Sequence, residues 1–173
     1  MSKKLAKVVF IVALFIFLSS VSLYAFPATC TVTRVLDGDT FYCLPQYTIP
    51  GAKIHKDRTI SVRLRGVDAP EKQQPYGVDA KESLKELVGG KTVDLKVKEV
   101  DRYGRVVAYV FINNINANLE QIKRGYAWAY AEYLDRPYLS EFYEAEKQAR
   151  KQRLGLWREI NPMPPWEWRK KYR

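Results

Sequence analysis

Five short β-rich segments, with one helical segment between the third and the fourth, constrain the fold of this chain more than any other feature. In the segment 92–98, Val93, Leu95 and Val97 alternate with polar residues and face one side, as in a strand. The helical segment, 79–87, is stopped by Gly89-Gly90. The other four predicted strands are 31–36, 40–44, 59–67 and 105–112.

This order of segments favours a small closed Greek-key barrel, for which the OB-fold is the obvious candidate. That architecture commonly binds oligonucleotides, although a fold alone does not establish function. Two more helices are predicted, one capped by Asn116 or Asn118 and one over 139–154. We therefore expect a mainly β protein with α (α+β), an OB-fold five-stranded Greek-key barrel with three helices.

The two ends of the chain differ from this middle part. Residues 1–25 have a basic start, an apolar run over 8–18 and small residues up to Ala25, which is typical of a signal peptide. The run is shorter than the roughly 20 residues of a membrane span, yet an uncleaved membrane anchor remains an alternative. We expect a domain over 26–160, a basic tail over 161–173 that is extended because of its prolines, and a secreted or periplasmic protein.

Two cysteines, Cys30 and Cys43, flank the turn sequence Asp37-Gly38-Asp39-Thr40. In an exported, oxidising environment they could face each other across a hairpin and form a disulfide. Two unpaired core thiols are the alternative, since facing geometry cannot be derived from spacing.

Charge and composition narrow the chemistry. The net charge is +10, and without residues 1–25 there remain 26 basic and 19 acidic residues, which favours polyanions or anionic membranes as partners. His55 is the single histidine, so paired-histidine chemistry and a histidine-rich zinc site are excluded. An enzyme built from this chain would use carboxylates, arginines and a hard metal ion.

Three segments at strand ends fit that description: 37–40, 63–71 and 101–105. Asp39 and Asp68 could each give an oxygen to calcium, with a backbone carbonyl, waters and a phosphate completing the shell. Arg63 and Arg105 could clamp a phosphate and stabilise charge on its oxygens. Each of these residues taken singly is more typical of an ordinary turn or of a solvated or salt-bridged arginine than of such a site.

Further candidates lie close to these segments. Glu71 follows Asp68 past a rigid proline and could take a proton from an attacking water; a surface glutamate is the alternative. Among many aromatic residues, most of which are expected to pack in the core, Tyr103 and Tyr133 are candidates for stacking on bases.

Taken together, these segments resemble the staphylococcal nuclease (thermonuclease) family from about Cys30 to Trp157. The resemblance rests on the runs Asp-Gly-Asp-Thr (37–40), Arg-x-x-x-Val-Asp-x-Pro-Glu (63–71) and Asp-Arg-Tyr-Gly-Arg (101–105). It implies an OB-fold, calcium held by Asp39, Asp68 and the carbonyl of Ala69, and cleavage of DNA and RNA at the 5′ P–O bond to 3′-phosphorylated products.

The resemblance also implies roles for single residues. Arg63 and Arg105 would bind the scissile phosphate, Glu71 would be the general base, and Arg102, Tyr103 and Tyr133 would contact the nucleotide. The chain departs from the family pattern in three places: Ala69 replaces a threonine, the loop 72–77 is short, and Ala131 stands where a second tyrosine is expected.

The leading hypothesis is thus an exported calcium-dependent nuclease, an endonuclease or exonuclease of the thermonuclease type. We expect DNA and RNA as substrates, no stable protein partner, membrane contact only through the N-terminal segment, and a monomer. The rival hypotheses are a non-catalytic nucleic-acid-binding OB-fold module and an anchored interaction protein that uses its basic tail.

Overall fold

A closed barrel of five strands forms the centre of the computed structural model, which describes residues 28–172. The antiparallel neighbours of β1 are β2 and β5; β2 also pairs with β3, and β5 with β6. A parallel pairing of β3 with β6 closes the barrel, so the predicted α+β class and the OB-fold barrel are confirmed. The strands are β1 (Ala28–Val35), β2 (Thr40–Pro45), β3 (Ile60–Leu64), β4 (Val67–Asp68), β5 (Thr92–Val100), β6 (Val106–Ile112), β7 (Ile115–Asn116) and β8 (Trp128–Ala129).

Strand alternation produces the core of the barrel. Val93 and Leu95 are buried as predicted, whereas Val97, the last residue before the pairing with β6 shifts register, is 36% exposed. At the other end of the barrel the structure bonds Cys30 to Cys43, whose Cα atoms lie 5.7 Å apart across β1 and β2. Other fully buried core residues are Phe41, Ile60, Val62, Leu64 and Val110.

The prediction of one continuous third strand over 59–67 is wrong, because the structure divides this segment into two strands. Gly66 adopts a positive φ of 69°, a conformation that favours glycine, and the resulting turn ends β3 at Leu64. The chain then resumes as β4, which pairs with β8 rather than with the barrel. Asp68, which was predicted to follow the end of a barrel strand, therefore lies in a separate two-stranded pairing.

The residues described contain four α-helices, not the three that were predicted. They are α1 (Gly77–Val88), α2 (Ala117–Lys123), α3 (Arg136–Lys151) and α4 (Pro165–Tyr172). The extra helix, α4, lies in the tail that was expected to be extended. Proline is well tolerated in the first turn of a helix, where its missing N–H has no partner to lose, so Pro165 begins this helix instead of preventing it.

The helices cover the barrel and are positioned by a few specific contacts. Asn116, rather than Asn118, caps α2 through its side-chain oxygen. Phe142 of α3 is fully buried and packs on Tyr109 of β6 and on Tyr138. Across residues 28–172 the structure contains no helix of the length and apolarity that a membrane span requires; the predicted signal peptide lies outside these residues.

Candidate active site

The turn between β1 and β2 fixes the position of Asp39. A Cβ at Gly38 would lie 2.6 Å from the Cβ atoms of both Ala69 and Ala80, so only glycine lets this turn approach the segment after β4 and helix α1. Gln121 of α2 holds the same turn by donating to the Gly38 carbonyl at 2.8 Å. The backbone carbonyl of Asp39 accepts from Leu64, and the carboxylate therefore sits at the end of β3.

Arg63 joins Asp39 to Asp68. Its neighbours Val62 and Leu64 are buried on the opposite face of β3, which leaves Arg63 directed toward the site. Nη1 donates to Asp39 Oδ1 at 2.7 Å and Nη2 donates to Asp68 Oδ1 at 3.2 Å. One guanidinium therefore contacts both carboxylates and holds the two aspartates on the same side of β3. We call Asp39, Arg63 and Asp68 the inner cluster.

Burial controls the protonation of the inner cluster. Asp68 is fully buried, and its burial raises its pKa, against the hydrogen bonds from Arg169 that lower it. The charge of Asp39 raises the pKa of Arg63, which keeps the guanidinium protonated. Burial, reinforced by the charge of Asp39, raises the pKa of Asp37 to about 7.

A tight loop after β4 places Glu71 beside Asp68. The Gln74 side chain accepts from the Glu71 N–H at 3.1 Å, and the Gln74 N–H donates to the Glu71 carbonyl at 2.8 Å. At Gly77 an added Cβ would lie 2.0 Å from the Glu71 carbonyl oxygen. The short loop 72–77 thus folds back on itself and directs the Glu71 side chain toward the cleft that the inner cluster borders.

Arg169 of α4 reaches the same carboxylates from the C-terminal tail. Nη2 donates to Asp68 Oδ2 at 2.9 Å, and Nη1 donates to Asp68 Oδ1 at 3.1 Å and to Glu71 Oε1 at 3.0 Å. Arg169 was not among the predicted site residues. Its only signal was the basic character of the tail, and a contact between residues 101 positions apart cannot be derived from spacing.

The opposite wall of the cleft carries Arg105. Its Nε and Nη2 atoms both bond Asp101 Oδ2 at 2.8 Å. Burial acts against ionisation of Asp101, but the hydrogen bonds from Arg105 lower its pKa below the ordinary value. Arg102 donates to the Tyr103 hydroxyl at 2.8 Å, and the Tyr103 ring is 61% exposed. We call Asp101, Arg102, Tyr103 and Arg105 the outer cluster.

Both clusters border one cleft with a volume of about 1030 Å³. Arg169 lines this cleft. So do eight of the predicted site residues: Asp39, Arg63, Ala69, Glu71, Arg102, Tyr103, Arg105 and Tyr133. Asp68 lies beneath its surface, fully buried. The structure therefore brings every predicted catalytic, metal-binding and nucleotide-binding residue to one place, although Arg105 contacts Asp101 and not the inner cluster.

Tyr130 directly precedes Ala131, the position at which the family resemblance implies a second tyrosine. Ala131 begins a one-turn 3₁₀ helix (Ala131–Tyr133), and Tyr130 lines the cleft beside Tyr133, with ring centroids 4.9 Å apart. Trp166 of the tail stacks on Tyr130 at 5.6 Å with an interplanar angle of 14°. The tail therefore covers the aromatic wall of the cleft as well as its carboxylates.

Two further residues of these segments, Arg65 and Asp37, have clear positions in the structure. Arg65 lies beyond the end of β3 and pairs with Glu99 at 3.0 Å and Asp135 at 3.4 Å, so it ties the barrel to the start of α3. Asp37 lines the cleft beside Asp39. Sequence reasoning had treated Asp37 only as part of a turn.

The donor chemistry of the inner cluster suits a hard cation. No group of three or more histidine, cysteine, aspartate or glutamate side chains in residues 28–172 is arranged as a complete metal site. Asp39 and Asp68 nevertheless offer two adjacent carboxylates, and Ala69 follows directly, with its N–H donating to Asp39 Oδ2 at 3.1 Å. Calcium is coordinated by such carboxylate and carbonyl oxygens, and water or phosphate oxygens complete its coordination shell.

Comparison with known proteins places this cleft in a family context. Residues 61–159 match the family model described as staphylococcal nuclease homologue. The chain is 40% identical to a micrococcal nuclease of Shigella flexneri over 80% of its own length and 79% of that protein. It is 39% identical to a Haemophilus influenzae protein described as an uncharacterized endonuclease, over 82% of its length and 73% of that protein. A rice protein described as a probable staphylococcal-like nuclease is 44% identical over 63% of this chain, which spans only 32% of the rice protein.

Proposed function

Because this chain belongs to the staphylococcal nuclease family, we propose that it is a calcium-dependent nuclease that hydrolyses phosphodiester bonds of DNA and RNA. The observation that carries the proposal is the meeting of three distant segments at one cleft. Two carboxylates share the Arg63 guanidinium, Glu71 lies beside them, and Arg105 borders the same cleft. We further propose that it acts outside the cytoplasm, after removal of residues 1–25.

Arginines hold the scissile phosphate in this proposal. Arg63 is oriented by β3 and by two carboxylates. Asp101 fixes Arg105 through Nε and Nη2, so Nη1 is the donor that we assign to a phosphate oxygen. Guanidinium groups bind phosphate in a forked geometry and stabilise the charge that accumulates on its oxygens during displacement.

Glu71 is the residue that we assign to proton transfer. A water oxygen forms a bond to phosphorus, its proton passes to the Glu71 carboxylate, and the P–O5′ bond breaks in line with the attack. The 5′ oxygen leaves and takes up a proton, and the phosphate stays on the 3′ side. When bound by Asp39, Asp68 and the Ala69 carbonyl, calcium would neutralise phosphate charge and polarise the reacting centre.

The outer cluster and the tyrosines would hold the nucleotides. Tyr103 is exposed at the mouth of the cleft, and Tyr133 is 42% exposed on another part of its wall. Bases stack on such rings without strong sequence preference. Arg102, adjacent to Tyr103, would contact a neighbouring phosphate.

A cleavage assay with Glu71→Gln tests this assignment. The substitution keeps the side-chain size but removes the base, so we expect the purified protein to cleave single-stranded DNA with calcium and the variant to be slower by a factor of about 10² to 10⁴. Glu141→Gln on α3, an exposed carboxylate away from the cleft lining, is the matched control and should cleave like the parent.

Two other outcomes contradict the proposal in different ways. Undiminished cleavage by Glu71→Gln would reject Glu71 as the base. Absence of cleavage with any divalent metal, while DNA binding is retained, would favour a non-catalytic OB-fold module.

A further inference from the structure

The C-terminal segment 161–172, which follows the residues matched by the family model, runs across the cleft as a strap. Gln74 donates to the Met163 carbonyl at 2.6 Å, which ties the strap to the loop after Glu71. Pro165 is buried. Trp166 stacks on Tyr130 and contacts Trp128 edge-on at 6.4 Å. Three kinds of contact therefore hold the strap over the site.

Arg169 is the residue through which the strap enters the inner cluster. Its guanidinium contacts both oxygens of Asp68 and one oxygen of Glu71. Asp68 is fully buried, and the Arg169 side chain is 28% exposed. A bidentate pair between a guanidinium and a buried carboxylate belongs to the stronger class of hydrogen bonds in proteins.

A bound cation and Arg169 would need the same oxygen atoms. Both oxygens of Asp68 accept from Arg169, and Oδ1 accepts from Arg63 as well, so each of them already faces a positive group. A divalent cation at Asp68 would also repel a guanidinium in contact with that carboxylate. Arg63 and Arg169 thus provide the positive charge beside Asp68 that a cation would otherwise provide.

We propose that Arg169 competes with the catalytic cation for Asp68, so that docking of the strap and binding of the cation exclude each other. This inference rests on the proposed function. In the docked state Arg169 and Trp166 cover Glu71 and Tyr130, and the nuclease is held closed. Cation binding displaces Arg169, loosens α4 and opens the cleft to nucleic acid.

Thermodynamic linkage makes the proposal testable from both sides. If the docked strap weakens cation binding, the cation weakens strap docking by the same factor. Loss of Arg169 must therefore tighten calcium binding, and calcium must release the strap in the parent protein. A strap that is merely structural would give neither effect.

Calorimetric titration of the purified protein with calcium measures the first side. We expect Arg169→Met to bind calcium about 10 to 100 times more tightly than the parent, as follows from removing charge-assisted hydrogen bonds. Arg169→Lys should show a smaller gain, because an ammonium group cannot form the forked pair. Lys170→Met removes the same charge from an exposed position of α4 and should leave the affinity within about twofold.

Hydrogen–deuterium exchange of a peptide covering 162–172 measures the second side without any activity readout. In the parent, saturating calcium should accelerate exchange in this peptide at least about tenfold, while a peptide from α1 stays protected. In Arg169→Met the strap should exchange rapidly already in the presence of a chelator. This comparison separates competition from a simple change in electrostatic potential, which would leave the strap docked.

The outcomes distinguish this inference from the proposed function. Equal calcium affinity of the parent and Arg169→Met, or a strap that remains protected in saturating calcium, would overturn the inference and leave the nuclease assignment in place. Weaker DNA binding by Arg169→Met at unchanged calcium affinity would also overturn it, because Arg169 would then bind substrate. Absence of calcium binding in all variants, together with absence of cleavage, would overturn both.

Discussion

The inner and outer clusters present the same pair of groups, an arginine and a carboxylate, but the carboxylates of the inner cluster are more deeply buried. In the inner cluster Asp68 is fully buried and Asp39 is 4% exposed. In the outer cluster the Asp101 side chain is 19% exposed and Tyr103 is 61% exposed. Burial makes the inner cluster a fixed part of the folded barrel, whereas the outer cluster is a surface feature that can adjust to a substrate.

This difference predicts unequal costs of losing the arginine, and this is the largest effect that we expect. Arg63→Met removes the guanidinium that two buried carboxylates share as a hydrogen-bond partner, so the free energy of unfolding should fall by about 3 to 5 kcal/mol. Arg105→Met breaks a partly exposed pair and should lower it by at most about 1 kcal/mol. Urea denaturation of both variants in a chelator measures these values, and equal losses would refute the comparison.

The raised pKa of Asp37 gives a second, smaller test at the edge of the inner cluster. Because its folded pKa is about 7 against an ordinary value of 3.8, the folded state holds a proton that the unfolded state releases between these pH values. Stability from this group therefore falls as pH rises from about 4 to 7. Asp37→Asn retains the oxygen that accepts from the Asp39 N–H but cannot ionise.

We expect Asp37→Asn to be more stable than the parent by about 1 kcal/mol or more at pH 8, relative to the difference between them at pH 4. Denaturation in a chelator at several pH values measures this difference. A difference that does not change between pH 4 and pH 8 would show that Asp37 ionises normally.

The same contrast between buried and exposed regions explains what could be predicted from the sequence. The barrel was predictable because alternation in segments such as β5 reports directly on burial. The site residues were found because their local runs are specific in combination. The break after Leu64 was missed because a single positive-φ glycine, Gly66, ends the strand without changing its apolar pattern.

The tail shows the limit of such reasoning. Its prolines indicated an extended segment, yet Pro165 begins a helix because the first turn of a helix does not need its N–H. The docking of α4 depends on Trp166 and Arg169 meeting partners that are distant in the sequence. Local pattern carries no information about such contacts, so the occupancy of the site by the tail could not be anticipated.

Tyr103 tests whether the outer cluster contributes through contact with substrate alone. Tyr103→Ala should weaken binding of single-stranded DNA about tenfold, because stacking on one base contributes roughly 1 to 3 kcal/mol. Its stability should not change, since the ring is mostly exposed. Fluorescence anisotropy with calcium in the Glu71→Gln background, where the strap is released and cleavage is slow, gives the affinity. Tyr143→Ala, an exposed tyrosine of α3, is the control and should bind like the parent.

Substitution of Arg102 should have the smallest effect on DNA binding. It is also the sharpest test of how the outer cluster differs from the inner cluster. Its guanidinium donates to the Tyr103 hydroxyl and lies over that ring at 4.9 Å, and the proposed function assigns it one phosphate contact at an exposed position. Arg102→Gln should weaken DNA binding only a few-fold and lower the slope of log affinity against log salt by about 0.7, as expected for one phosphate contact on a single strand. Lys147→Gln removes one charge from α3, where the side chain is 71% exposed, and should leave that slope unchanged. If both variants change the slope equally, the outer cluster contributes only to the general positive charge of the protein and not to a defined contact.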